Sequence, residues 1–134
     1  MSYRRDSTEE AARRKARHAR DDASPRLRDR VPRLEALHFE ISVSREGVAV
    51  EAARHVKRFV VGQAPALFVL DCTDQSCRDG GHDLTERVLG QLAANQERFE
   101  AEDSCRGRSG DRECGRVVRV TAFATYARAE RGTR

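Results

Sequence analysis

The chain has 134 residues, of which 36% are charged and 38% are apolar, and its net charge is +4. This length suits one domain with a tail, since domains most often hold about 100–150 residues. The charged share is well above the ~25% of an average globular protein, and no segment approaches the ~20 apolar residues that a membrane-crossing helix needs. We therefore expect no membrane contact and a chain that is partly poorly packed.

The N-terminal quarter carries all of the net charge. Residues 1–35 hold eleven Arg and Lys against seven Asp and Glu, whereas residues 36–134 hold fifteen of each. Residues 4–20 contain no Leu, Ile, Val or Phe, so this stretch has nothing to bury against a core. We expect residues 1–35 to form a charged basic arm, disordered or transiently helical. A single domain over 36–127 and a polar tail over 128–134 should follow.

Three apolar segments predict the first strands. Leu37, Phe39, Ile41 and Val43 alternate with polar residues, as in a strand with one buried face. Glu46-Gly47 predicts a turn, residues 48–55 stay ambiguous, and residues 56–61 predict a second strand. Residues 66–71 predict a third strand, which should be central and covered on both faces because its apolar run is continuous.

The second half predicts one helix and a hairpin. Asp83 can cap a helix over about 83–95, in which Leu84, Val88, Leu89 and Leu92 form one apolar stripe. Residues 98–105 and 114–127 predict a fourth and a fifth strand that pair with each other. The expected fold class is α+β: a mainly antiparallel sheet of about five strands, one main helix and a charged, mobile or helical N-terminal tail.

The four cysteines predict a metal site. Cys72 and Cys77 are spaced C-x4-C, and Cys105 and Cys114 are spaced C-x8-C. Each pair lies where a predicted strand meets a turn, so the sulfurs converge if strands three to five adjoin in one sheet. Two loops that each offer a pair are the usual supply for structural Zn²⁺. The two pairs are similar in this respect to those of zinc-ribbon and zinc-knuckle domains.

Three alternatives stay open at this site. Disulfides such as Cys72–Cys77 and Cys105–Cys114 would suit an exported chain, and four unrelated thiols would suit any chain. His82 can replace one cysteine as a ligand or contact a ligand sulfur, or it can be exposed or capping at the helix entry. The charged N-terminus has no apolar signal region, so we expect a cytoplasmic chain, in which clustered cysteines favour metal over disulfides.

No supported catalytic motif is present. The chain lacks a nucleophile elbow, a phosphate-binding loop and a dinucleotide fingerprint. We therefore expect a non-catalytic binding or regulatory module with no small-molecule substrate. The alternatives are a thiol/zinc redox sensor and a structural subunit of a larger assembly.

The basic arm is the predicted contact for a partner, either a protein or a nucleic acid. Arg13, Arg14, Lys15, Arg17 and Arg20 suit the phosphate backbone of a nucleic acid or a ribonucleoprotein. The acidic residues interspersed with them favour the alternative of a solvated tail.

Overall fold

The computed structural model describes residues 2–50, 55–74, 76–78 and 80–128, with side chains from residue 8 onward. The helices are α1 (Ser2–Ala23), α2 (Leu27–Arg30) and α3 (Thr85–Ala93). The longer strands are β1 (Leu34–Arg45), β3 (His55–Phe59), β7 (Arg98–Ser104) and β10 (Arg116–Tyr126). The two-residue strands are β2 (Val48–Ala49), β4 (Val69–Leu70), β5 (Cys77–Arg78), β6 (His82–Asp83), β8 (Arg108–Ser109) and β9 (Arg112–Glu113).

The main sheet has five antiparallel strands, and the expected α+β class is confirmed. Its order is β2-β1-β10-β7, and β3 pairs with β1 on the same side as β2. The predicted hairpin of the fourth and fifth strands is present as β7 and β10. The predicted turn at Glu46 and Gly47 joins β1 to β2, and both residues have a positive φ. Of the ambiguous stretch 48–55, residues 51–54 lie outside the described ranges.

One face of this sheet forms the core. Leu37, Phe39, Ile41 and Val43 of β1 are all buried, as their alternation predicted. The facing positions of β10 and β7 are buried as well: Val118, Val120, Ala122, Ala124, Phe99 and Ala101. Removing each large side chain of this kind from water contributes about 1.5–3 kcal/mol. The sheet is therefore held by its apolar face.

Helix α3 packs on this core through the predicted stripe. Leu84, Val88 and Leu92 are fully buried, and Leu89 is partly buried. The helix begins at Thr85, and Asp83 Oδ1 accepts the Thr85 amide at 3.0 Å, so Asp83 satisfies a first-turn amide. Asn95, with φ 58°, takes the left-handed conformation that follows the helix end. The helix is therefore shorter than 83–95 at both ends.

The prediction of a central third strand over 66–71 is wrong. Only Val69 and Leu70 are in a strand, β4, which pairs with β6 in a separate two-stranded sheet. The run is apolar because its side chains enter the core: the Phe68 ring lies 5.5 Å from the ring of Phe39. Its backbone instead meets the N-terminal segment, since the Ala66 amide donates to the Pro25 carbonyl at 2.8 Å.

The N-terminal segment is helical, and its end belongs to the core. Helix α1 is rich in Ala and Arg, which have high helix propensity, and its described side chains are mostly exposed. Leu27 of α2, Val31 and Leu34 are buried in the same cluster as the sheet. The packed part of the chain thus begins before residue 36. Within the described ranges, no helix has the length and apolarity that a membrane crossing needs.

Candidate metal centre

The four cysteine sulfurs meet at one point, as predicted. All four Sγ atoms lie within 4.8 Å of one another. The closest approaches are 3.5 Å between Cys72 and Cys114 and 3.6 Å between Cys77 and Cys105. Zn–S bonds of about 2.3 Å in a tetrahedron place the sulfurs about 3.8 Å apart. The separations therefore suit four ligands of a single ion.

The alternative arrangements of the cysteines are not the ones observed. A disulfide bond is about 2.05 Å long, whereas all four thiols are free. The nearest neighbours are also not the sequence-adjacent pairs, since each cysteine of the first pair approaches one of the second. Four unrelated thiols are likewise contradicted, because the sulfurs form one cluster.

A small sheet and three loops position the ligands. Cys77 is in β5, which pairs with β8, and β8 pairs with β9. Cys72 follows β4, Cys105 follows β7 and Cys114 follows β9. The Cys114 amide donates to the Gly107 carbonyl at 2.8 Å, which closes the loop against the cluster. The expectation that the ligands meet at the end of one shared sheet is wrong: the main sheet flanks the loop that holds Cys105 and Cys114, between β7 and β10, whereas Cys72 and Cys77 lie outside that sheet.

Two glycines leave room for the sulfurs. A Cβ atom on Gly80 would lie 2.4 Å from Cys77 Sγ and 2.6 Å from Cys105 Sγ. A Cβ atom on Gly107 would lie 2.5 Å from Cys77 Sγ and 2.6 Å from the Arg78 carbonyl oxygen. Neither glycine is predicted from the sequence to contact the sulfurs. The sequence feature that could have indicated Gly80 and Gly107 is their spacing from the cysteines: C-x-x-G at 77–80 and C-x-G at 105–107.

Backbone amides point at one of the sulfurs. The Gly81 and Gly107 amides each donate to Cys105 Sγ at 3.4 Å. Burial raises the pKa of the Cys105 thiol, but these amides and the neighbouring thiols of Cys77 and Cys72 together hold it below its ordinary value. Hydrogen bonds that favour the charged form favour the thiolate, which is the form that binds metal.

Two other thiols resist ionisation without a cation. Burial is the main cause that raises the pKa of Cys72 to about 11. Burial also raises the pKa of Cys77, and hydrogen bonding with Cys105 adds to the rise. Taking a thiolate out of water is costly unless a positive charge compensates it. A divalent cation bound by the cluster would provide that compensation for both thiolates.

Arg116 supplies positive charge beside the cluster. Its Nη1 donates to Thr73 Oγ1, and its carbonyl accepts the Cys105 amide at 2.7 Å. Its Nε is buried and has no hydrogen-bond partner among the described residues. Four thiolates around one Zn²⁺ leave a net charge of −2, so a cation here lowers the electrostatic cost of the site.

His82 is buried beside the site but is not part of the cluster. Among the described residues, the metal-binding group consists of the four cysteines. The His82 ring is 2% exposed, and its Nδ1 lies 3.1 Å from the Asp103 carbonyl oxygen. Burial lowers the pKa of His82, and Asp103 partly opposes this. The interpretation of His82 as exposed is therefore wrong. The contact between His82 and Asp103 joins β6 to β7, two residues before Cys105.

The five basic residues of the arm do not form one patch. Arg13, Arg14, Lys15 and Arg20 are exposed on α1, whereas Arg17 is half-buried and forms an ion pair with Asp71. At 3.6 residues per turn, Arg13, Arg17 and Arg20 share one side of α1, and Lys15 lies on the opposite side. The ion pair places α1 beside the residue that precedes Cys72.

The arrangement can bind one soft or borderline divalent metal ion in a closed tetrahedron. Four sulfurs fill such a tetrahedron, and this closed form is typical of structural zinc sites, whereas catalytic zinc keeps an open position. Comparisons with known protein families, with curated proteins and with solved structures found no match for this chain. Its function is therefore inferred from its own residues.

Proposed function

We propose that this chain is a non-catalytic binding or regulatory module whose fold is completed by a structural zinc ion. Cys72, Cys77, Cys105 and Cys114 are the proposed ligands. The observation that supports the proposal is the cluster of four free sulfurs within 4.8 Å of one another. A tetrahedral set of four thiolates favours zinc or an iron–sulfur centre, and the S···S separations suit a single ion.

Metal analysis of the freshly purified full chain tests this proposal. We expect one zinc per chain, and we expect thiol titration to detect all four cysteines only after chelation. Cys114→Ser should lower the zinc content, whereas the matched control Ser104→Ala, on the exposed end of β7, should retain it. Iron in place of zinc, or four titratable thiols in untreated protein, would contradict the proposed cofactor.

We further propose that α1 contacts nucleic acid. Support comes from the surplus of four positive charges in residues 1–35 and from the exposure of Arg13, Arg14, Lys15 and Arg20. Binding through phosphates weakens steeply as salt concentration rises, because counterions are released. A labelled RNA or DNA oligonucleotide should therefore bind the full chain at low salt and dissociate at high salt.

Charge variants on α1 test whether this helix itself contacts the nucleic acid. Replacing Arg13, Arg14 and Lys15 together with glutamine should reduce both the affinity and its salt dependence. Replacing Glu9 and Glu10 with glutamine is the opposite control and should increase the affinity, because it removes negative charge from the same helix. Absence of binding at low salt would rule out the nucleic-acid contact.

A thiol/zinc redox sensor is a second candidate, and one observation favours it. Cys72 is partly exposed, whereas Cys77, Cys105 and Cys114 are buried. Hydrogen peroxide would reach Cys72 first. It would take two electrons from the thiolates of Cys72 and Cys114, which form a disulfide bond, and two protons from solvent, and would leave as two water molecules. Zinc should then be released by peroxide at concentrations that leave other tetrathiolate proteins intact, and a reductant should restore binding.

A further inference from the structure

Strand β3 has a free edge along residues 56–59. These residues pair with β1 on one side, and within the described ranges no strand pairs with their other side. The outward N–H and C=O groups of an edge strand are a template for pairing with another chain. A cavity of about 480 Å³ borders this edge and is also lined by residues of α1. The edge is therefore adjacent to open space large enough for part of a peptide.

The same margin of the sheet exposes apolar side chains. Of the described residues, the large hydrophobic ones that are most exposed are Val48 at 70%, Val56 at 52% and Val60 at 62%. Val48 is in β2, Val56 is in β3 and Val60 follows β3. The opposite edge strand, β7, instead exposes charged residues, which natural sheets use to discourage pairing. Both edges thus carry charged side chains, but among the described residues only the edge formed by β2 and β3 also exposes large apolar ones.

Positive charge lies between these valines. Lys57 and Arg58 are exposed on β3, and neither forms an ion pair within the described part of the chain. Arg17 and Arg20 of α1 line the same cavity, where Arg17 contacts Asp71 and Arg20 contacts Asp21. The carboxylates of Asp71 and Asp21 are thus already paired with arginines. Lys57 and Arg58 therefore make this edge of the sheet attractive to negative charge.

We propose that the free edge of β3 binds an extended acidic segment of a partner protein as an added strand. Main-chain hydrogen bonds to the edge provide affinity, and alternating side chains provide specificity, as in other cases of strand addition. The segment carries acidic residues opposite Lys57 and Arg58 and apolar residues opposite Val56 and Val60. This surface is separate from the metal centre, and the proposal does not rest on zinc or on nucleic-acid binding.

Two other occupants fit the edge less well. A second copy that paired antiparallel through β3 would set Lys57 near Arg58 of the other copy, and like charges in opposite positions destabilise a strand pair. A nucleic acid would satisfy the cations but would leave the exposed valines and the outward N–H and C=O groups of β3 without strand-like partners. Charge and backbone together therefore favour an acidic peptide.

The proposal is tested on the full chain with a labelled, capped peptide spaced so that two adjacent glutamates lie opposite Lys57 and Arg58 and valines lie opposite Val56 and Val60, with one threonine opposite Phe59. We expect saturable binding by fluorescence anisotropy and slower amide hydrogen exchange over residues 56–60. Lys57→Glu combined with Arg58→Glu should weaken binding at least about tenfold. Arg98→Glu, on the opposite edge strand, is the matched control and should leave the affinity unchanged.

A charge swap keeps the test informative. A peptide with lysine in place of both glutamates should bind the doubly substituted chain better than the original chain. Equal binding by a peptide whose alternate amides are N-methylated would overturn strand addition. Self-association through β3, or slower exchange at residues 56–60 with a uridine oligonucleotide but not with the peptide, would assign the edge to another occupant and overturn the proposal.

Discussion

Cys72 Sγ lies 3.5 Å from Cys114 Sγ although 42 positions separate the two residues. The cysteine cluster is also distinct from the hydrophobic core cluster. Chelation should therefore unfold β5, β8 and β9 first, while β1 and β10 stay folded through their buried apolar face. Hydrogen exchange with and without a chelator measures this, and equal loss of protection in β1 and β5 would contradict it.

Gly107→Ala tests the packing of the glycines against the sulfurs. The added Cβ would lie 2.5 Å from Cys77 Sγ, so the variant should bind zinc more weakly and lose about 1–3 kcal/mol of unfolding free energy. Gly90→Ala is the matched control, because Gly90 is in α3 with nothing within 4 Å of the added atom. It should gain about 0.5–1 kcal/mol. Chemical denaturation with zinc analysis measures both changes.

Two N-terminal truncations should locate the start of the folded unit. Removal of residues 1–24 deletes exposed helix and should leave the stability nearly unchanged. Removal of residues 1–35 also deletes Leu27, Val31 and Leu34, which are 0%, 6% and 3% exposed. At about 1.5–3 kcal/mol for each buried side chain, this loss approaches the total stability of a typical domain, about 5–15 kcal/mol.

Thermal unfolding of the two truncated chains provides the comparison. The shorter truncation should melt near the temperature of the full chain, and the longer one should show no cooperative transition. Cooperative unfolding of both would mean that α2 contributes little to the core. Loss of the transition in both would mean that α1 itself stabilises the domain, beyond the exposed ion pair of Arg17 with Asp71.

His82 should make stability depend on pH. Burial lowers its pKa in the folded chain below the ordinary value of 6.5, so the unfolded chain binds the proton more tightly. The neutral His82 ring therefore makes its full contribution to the unfolding free energy above about pH 6.5. The unfolding free energy falls as the pH drops below that value. Asp103, which contacts this ring from β7 and is itself paired with Arg87 of α3, favours the protonated ring and should only moderate the effect.

Urea denaturation at about pH 7.5 and about pH 5.5 measures this slope. His82→Gln should flatten it. Zinc must stay in excess at both values, because acid also protonates thiolate ligands and releases metal. A slope that is identical in the original chain and the variant would show that the cysteines alone cause it.

The long strands were predictable because burial dictates their alternation. Phe39 and Ile41 of β1, like Val118 and Val120 of β10, stand two positions apart and are buried. Strands β5, β8 and β9 have two residues each and no apolar alternation, so no local pattern indicates them. The prediction of a strand over 66–71 is wrong because the apolar run reports only that its side chains are buried. The same run results whether or not the backbone joins a sheet.

The cysteine cluster was predictable from ligand type and position. The glycines that pack against its sulfurs were not. Thiols at the ends of loops predict convergence, but the close approach of Gly107 to Cys77 depends on how two distant turns face each other. Charge composition predicts a domain boundary near residue 36. It does not indicate that Leu27 and Val31 are buried, because both are surrounded by arginines in the sequence.

The position of β10 in the sheet has a consequence for biosynthesis. This strand lies between β1 and β7, which precede it in the chain, and Ile41 meets Val120 across that pairing. A ribosome therefore synthesises β1 and β7 before β10, the strand that pairs with both. Until β10 emerges, β1 lacks the strand with which it forms its longest pairing. Nascent chains that stall before residue 116 should be substrates for chaperones that shield hydrophobic surface.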